Sequence, residues 1–130
     1  MSGPFIFIAS NRLKEGAFEI EQRRVPDLCD FIEANEPRLI AFNEYVNEDR
    51  TEVAVVQVHP DAESMEFHLG VVRERAQRAY AETLDATTSI QVYGMPSDAV
   101  LELLRQQAGG GVPLRVNPQH LGGFTRSKTS

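Results

Sequence analysis

The stretch RLIAFNEYVNEDRTEVAVVQVH, residues 38–59, decides the fold because it contains two apolar segments joined by a polar turn. Arg38–Val46 and Thr51–His59 are rich in the β-branched and aromatic residues that favour strands. The turn between them, Asn47-Glu48-Asp49-Arg50, is strongly polar. We therefore predict a β-hairpin. One residue disagrees with this register, since Glu44 falls on the apolar face of the first strand.

A helix and a strand flank the hairpin on each side. Before it, Phe5–Leu13 is predicted as a strand and is followed by an amphipathic helix that ends ahead of Pro37. After it, Asp61 can cap a long helix, and Thr87–Met95 is predicted as the fourth strand. The order β-α-β-β-α-β predicts an α+β, ferredoxin-like fold with an antiparallel sheet.

The chain continues beyond this pattern as a C-terminal helix/strand extension. Pro96-Ser97-Asp98 opens a short third helix, and Val112–Val116 is predicted as an added edge strand because it contains a proline. Residues 126–130 are predicted to form a frayed tail. At this length we expect one domain over residues 1–130, with a core at about 4–95 and an extension at about 96–126.

Both faces of the predicted sheet are apolar, so both need cover. We assign the face under the chain's own helices to Ile6, Ile8, Ile40, Phe42, Val46, Ala54, Val56, Val58, Ile90 and Val92. The second face mixes Phe5, Phe7, Ala9, Leu39, Ala41, Val53 and Val55 with Asn11, Asn43, Tyr45, Gln57, His59, Gln91 and Tyr93. It is too apolar for water and too polar for an ordinary core. We therefore expect a second subunit over it, with a small pocket in between.

Composition argues against several classes of partner. The net charge is −6 and no basic run occurs, which disfavours nucleic acid and anionic membranes. The N-terminus lacks the features of a signal peptide, and no apolar stretch approaches the length of a membrane span. One cysteine, Cys29, excludes an intrachain disulfide and suits a reducing compartment. We expect a cytoplasmic protein.

Three pieces of this chain carry a resemblance to a known family. They are the opening strand with its turn (Ala9–Gly16), the end of the first helix (Glu33–Pro37) and the start of the second long helix (Ser64–Leu69). In their order and spacing the chain resembles the dimeric α/β-barrel superfamily, and within it the antibiotic-biosynthesis-monooxygenase-like family. The resemblance implies a homodimer whose sheets pack face to face. Known members include cofactor-free oxygenases acting on quinol-like or polyketide substrates, and distant relatives bind or degrade haem.

The resemblance also points to His68 and Asn11 as catalytic residues. A histidine recurs near the start of this helix in the family, and His68 flanks the apolar stripe of Met65, Leu69 and Val72. Histidine ordinarily titrates near neutral pH, which suits removal of a phenolic proton. Family oxygenases often place an amide where Asn11 stands. The alternatives are a surface histidine and a strand-end asparagine that tolerates a turn.

Polar residues on the strands are the candidates for substrate binding. Asn43 and Tyr45 share one face of their strand, and Gln91 and Tyr93 share one face of theirs. Tyrosine offers an aromatic ligand both a flat surface and a hydroxyl, although tyrosine is also common in dimer interfaces. His59 shares a face with Gln57 but precedes Pro60 at the strand end, where a loop-entry role is the alternative.

We predict no metal and no cofactor. The three histidines, at 59, 68 and 120, have no ligand spacing. The resemblance implies a tryptophan in the haem-degrading relatives, so its absence from this chain disfavours haem degradation. The predicted function is a cofactor-independent monooxygenase-like activity on a small aromatic or quinol-like molecule. The alternatives are a non-catalytic dimeric ligand-binding or assembly module and a haem-binding relative on the same fold. A cavity below roughly 300 Å³ would favour the non-catalytic module.

Overall fold

The elements of the fold follow one another in the predicted order. The computed structural model describes residues 3–126, so most of the predicted tail, residues 127–130, lies outside the described part. The elements are β1 (Phe5–Leu13), α1 (Phe18–Asn35), β2 (Ala41–Val46), β3 (Glu52–His59), α2 (Ala62–Glu82), β4 (Leu84–Tyr93), α3 (Asp98–Ala108) and β5 (Leu114–Asn117). Over residues 3–126, no helix combines the length and the apolarity needed to cross a membrane.

The sheet has the strand order β2-β3-β1-β4-β5. Its first four strands are antiparallel neighbours, which confirms the ferredoxin-like prediction. β5 runs parallel to β4 and makes the sheet mixed, because α3 supplies the crossover that a parallel connection needs. The predicted edge strand is therefore confirmed as β5.

Two strands begin three residues away from their predicted starts. β2 begins at Ala41 rather than Arg38, because the chain after Pro37 first makes a turn in which the Leu39 amide donates to the Glu36 carbonyl. β4 begins at Leu84 rather than Thr87. α2 ends at Glu82, because the next residue, Thr83, accepts a hydrogen bond at its carbonyl from the amide of Lys14, the residue that follows β1.

Both later helices begin at capping side chains. The Asp61 carboxylate accepts a hydrogen bond from the Ser64 amide at 3.0 Å, and the Ser97 hydroxyl accepts one from the Val100 amide at 3.2 Å. These bonds satisfy amide groups that a helix start otherwise leaves unpaired. The predicted helix starts are thereby confirmed.

All three helices pack on one face of the sheet, and the prediction of this face was wrong for β1 and β3. Ala9 pairs with both Val55 and Ile90, and Phe42 pairs with Gln57, so these residues share the covered face. The prediction failed because β1 is apolar at every position from Phe5 to Ala9. Its alternation therefore does not distinguish the two faces.

The opposite face, called the open face below, has no helix over it within residues 3–126. It is formed by Ile6, Ile8, Ala41, Asn43, Tyr45, Ala54, Val56, Val58, Gln91 and Tyr93. Its centre is aliphatic, and tyrosines lie towards two of its sides, with Tyr45 62% and Tyr93 37% exposed. Asn11, Gln57 and His59, which were predicted on this face, lie under the helices instead.

Candidate functional site

A narrow cavity of about 130 Å³ lies between the covered face and the helices. It runs along α2 from His68 to Tyr80, a distance of about 18 Å along a helix axis. Its apolar lining comprises Phe7, Ala9, Leu28, Ile32, Phe42, Val53, Val55, Met65, Leu69, Val72, Ala76, Ala79 and Leu84. A few polar side chains interrupt this lining at separate points, which is the usual character of a small-molecule site.

At one end of the cavity, His68 is held by Glu36. The Nδ1 atom of His68 lies 2.8 Å and 3.0 Å from the two carboxylate oxygens of Glu36, and both residues are buried. A carboxylate accepts, so Nδ1 carries the proton and donates it. Nε2 has no hydrogen-bond partner among the described residues. Every fully buried side-chain nitrogen or oxygen in that part of the chain has a partner, so Nε2 itself is not fully buried. Nε2 is therefore accessible from the cavity as a proton acceptor.

His59 packs beside His68 and is kept neutral. Its Nε2 donates to Gln57 Oε1 at 2.9 Å, and its Nδ1 accepts from the Ser64 hydroxyl at 2.7 Å. Burial, with a smaller contribution from the neighbouring His68, lowers the pKa of His59 to about 3. The two rings are 5.7 Å apart between centroids. His59 thus supports the ring of His68 without competing for its proton.

At the other end of the cavity, Asn11 belongs to a hydrogen-bonded network. Its Oδ1 accepts from the Tyr80 hydroxyl and from the Thr87 hydroxyl, each at 2.8 Å. Gln107, from α3, donates to the Tyr80 oxygen at 3.1 Å. Because both of these bonds use Oδ1, the group that Asn11 has left for a ligand is its amide Nδ2, which donates. Asn11 lines the cavity.

A pair of carboxyl groups lies between these two ends. Glu44, on β2, forms a hydrogen bond to Glu21, on α1, and Glu44 lines the cavity. Burial, and then the bond to Glu21, raises the pKa of Glu44 to about 9. Burial would raise the pKa of Glu21 as well, but hydrogen bonds from Glu44, Arg24 and Thr83 outweigh it and lower that pKa.

The sequence-predicted site residues are divided between the two faces of the sheet. His68 and Asn11 line the cavity, and His59 lies directly behind His68. Asn43, Tyr45, Gln91 and Tyr93 lie on the open face, so they do not share this cavity. Residues 3–126 contain no group of three or more His, Cys, Asp or Glu side chains that could hold a metal ion.

Comparisons with known proteins identify the fold. No family model matches the chain, and no curated protein does. Among solved structures, MupZ from Pseudomonas fluorescens is 17% identical, with 96% of each chain covered and a TM-score of 0.70. PA3566 from Pseudomonas aeruginosa is 19% identical over 71% of this chain and 93% of its own, with a TM-score of 0.60. An antibiotic biosynthesis monooxygenase is 16% identical over 68% of this chain and 94% of its own, with a TM-score of 0.59.

This chain shares the fold of these three proteins. At these identities the likeness establishes the fold and leaves the reaction open. The neighbours differ in the share of this chain that they match. The match to MupZ covers 96% of this chain, whereas the match to the monooxygenase covers 68%. The α3 and β5 elements are therefore an addition to the common fold that has a counterpart in MupZ.

Within this fold, sequence reasoning missed the acidic partners of the site. Glu36 was predicted only as part of the end of the first helix. Glu44 was named only as a residue that disagrees with the predicted strand register. A carboxylate at an apolar strand position was itself the available signal, because such local conflicts concentrate at functional sites. Glu36 gave no comparable signal, since glutamate next to a helix-ending proline is unremarkable.

Proposed function

We propose that the protein is a cofactor-independent, monooxygenase-like enzyme in which His68 removes a proton from a small phenolic or quinol-like molecule. The observation that carries the proposal is the dyad of Glu36 and His68, which leaves Nε2 facing an apolar cavity. The fold supports it, since one of the structural neighbours is described as an antibiotic biosynthesis monooxygenase.

The dyad has the arrangement that a general base needs. Glu36 orients the ring and stabilises the positive charge that His68 acquires when Nε2 takes a proton. Asn11 is available to donate a hydrogen bond to a substrate oxygen. The phenolate formed in this way is electron-rich and can react with dioxygen directly.

The cavity restricts the size of the substrate. A volume of about 130 Å³ is close to the roughly 150 Å³ cavity that accommodates benzene in another protein. Because the lining extends along α2, the space is narrow as well as small. We therefore propose a single-ring or slender molecule, bound with its acidic hydroxyl at His68.

The open face supports a homodimer as part of this proposal. Its aliphatic centre, formed by residues such as Ile8, Val56 and Val58, has no cover from the described part of the chain. A second copy of the same face would bury it, and Tyr45 and Tyr93 would then contribute to the interface. With one cysteine and net charge −6, we further propose that this dimer is cytosolic.

The second candidate is a non-catalytic dimeric module. The observation in its favour is the cavity volume of about 130 Å³, which lies below the roughly 300 Å³ typical of ligand pockets. That volume also disfavours a porphyrin ligand. In this case the buried polar groups would serve only to specify the packing of the core.

Oxygen consumption separates the two candidates. Purified protein is mixed with monocyclic phenols and hydroquinones, and uptake is compared with a protein-free blank. The monooxygenase-like function predicts uptake that His68→Gln lowers by at least about 100-fold. His120→Gln, the same change outside the cavity, should leave the rate unaltered. Equal rates for wild type and His68→Gln, or no uptake by either, would reject the function and favour the module.

A further inference from the structure

The cavity contains an acid as well as a base, and the function proposed above uses only the base. Glu21 is almost fully buried on α1, and its carboxylate accepts hydrogen bonds from Arg24 at 2.9 Å and 2.6 Å and from the Thr83 hydroxyl at 2.8 Å. Glu44 reaches the same carboxylate from β2. Of these two neighbouring carboxyl groups, only that of Glu44 lines the cavity.

The surrounding groups decide which carboxyl group carries the proton. Arg24 and Thr83 both donate to Glu21, so Glu21 is stable as the anion. A hydrogen bond between the two carboxyl groups needs one proton, and Glu44 supplies it. The remaining charged or titratable groups along the cavity are Arg24, Arg75, His68 and Tyr80, and Arg75 packs over the Phe31 ring at 3.9 Å.

The acid and the base border the same stretch of the cavity. The ring of Phe42 lies 5.8 Å from that of His68, between centroids. Glu44 follows Phe42 by two positions on the same face of β2, a separation of about 7 Å along a strand. A single ring placed against Phe42 would therefore lie close to both His68 and Glu44.

We propose that Glu44 is the proton donor to the ligand bound in this cavity, with Glu21 as the group that keeps it protonated. This inference rests on the proposed function and deepens it, because it assigns the acid that an oxygenation requires. Glu21 does not contact the ligand and acts through Glu44, as a positioning residue.

The proposed reaction balances with one acid and one base. His68 takes the phenol proton, and the ring carbon para to the oxygen forms a bond to dioxygen, which leaves a peroxide anion. Glu44 protonates that anion to the hydroperoxide. The O–O bond then breaks: one oxygen stays as a carbonyl and the other leaves as hydroxide, which takes the proton from His68 to give water. The proton on the same ring carbon passes to Glu44, so phenol and dioxygen become quinone and water, and both residues are restored.

The first test is kinetic and uses Glu44→Gln. The amide retains the size of the side chain and can still donate a hydrogen bond, but it does not transfer a proton. We expect Glu44→Gln to bind phenols with unaltered affinity and to form product at least about 100-fold more slowly. Glu48→Gln, in the exposed hairpin turn, is the matched control. Product formation by Glu44→Gln at the wild-type rate would overturn the inference.

The second test reports on Glu44 without turnover. Infrared difference spectra at pH 7 should show the carbonyl band of a protonated carboxylic acid that Glu44→Gln lacks, and the band should shift when 4-nitrophenol binds. If wild type consumes no oxygen but the band shifts, the proposed function fails, while the assignment of Glu44 as the protonated acid facing the bound ligand stands. A missing band, or one that 4-nitrophenol does not shift, overturns the assignment whether or not oxygen is consumed.

Discussion

Nδ1 of His68 lies 2.8 Å from the carboxylate of Glu36, although 32 residues separate them in the chain. Glu36 directly follows the last residue of α1, and its amide still donates to the Ile32 carbonyl. Pro37 follows and prevents the helix from continuing. The end of α1 thus places a buried carboxylate directly against α2, and the orientation of the base depends on where the first helix stops.

Glu36→Gln should lower activity more than it lowers stability. Glutamine keeps the length of the side chain and an acceptor oxygen for Nδ1, but it removes the charge that stabilises protonated His68. We expect a loss of the order of 1 kcal/mol in the free energy of unfolding, together with a fall in oxygen uptake of at least about 10-fold. Urea unfolding and oxygen uptake measure the two effects. Glu33→Gln, on the exposed side of α1, is the control and should change neither.

Much of the fold could be predicted from the sequence because its signals are local. The hairpin at residues 38–59, the cap at Asp61 and the stop at Pro37 each depend on a few neighbouring residues, and the structure confirms them. The faces of β1 could not be assigned, because Phe7 and Ile8 are both apolar. Which of them meets a helix is decided by pairing with β3 and β4, and the sequence does not encode that pairing locally.

The site was harder to predict than the fold because its contacts are long-range. His68 and Asn11 were named as site residues through the family resemblance, whereas their partners Glu36 and Tyr80 are brought close only by packing. The error in the faces had a direct consequence. It grouped Tyr45 and Tyr93 with Asn11, although the sheet itself lies between them. Binding of substrate by the open-face residues stays a prediction.

His59 should make the protein sensitive to acid. Its pKa is lowered to about 3 in the folded chain, whereas an unfolded histidine titrates near 6.5. The unfolded state therefore binds an extra proton between these values, and the stability present above about pH 6.5 is lost as the pH falls towards 3. We expect His59→Gln to reduce this dependence. Urea unfolding of wild type and of His59→Gln at pH 7, 5.5 and 4.5 tests this expectation. Because Glu44 is present in both proteins, the difference between their free energies of unfolding reports on His59. Parallel pH curves for the two chains would contradict this assignment.

The extension should contribute to the stability of the whole chain. Leu104, on α3, is fully buried and packs with Met65, Ile90 and Val92 in the main core. Truncation of a buried leucine leaves a cavity, so Leu104→Ala should cost about 2–5 kcal/mol in the free energy of unfolding. Leu103, its neighbour, is 46% exposed, and Leu103→Ala should cost at most about 0.5 kcal/mol. Similar losses for the two variants would show that α3 does not belong to the cooperative core.

A charge at the centre of the open face should separate the proposed dimer. Val56 pairs with Ile8 on one side and with Asn43 on the other, in the interior of the exposed aliphatic area. Dimer formation through this face would bury the new carboxylate of Val56→Glu without a partner. Each charge buried in this way costs about 3–5 kcal/mol. That cost weakens association by at least about 100-fold. Sedimentation at micromolar concentration should give a dimer for wild type and a monomer for Val56→Glu. Ile20→Glu places the same charge on an exposed position of α1 and should remain dimeric. A wild-type monomer would leave the open face facing water, and the argument for a second copy would then fail together with the proposed homodimer.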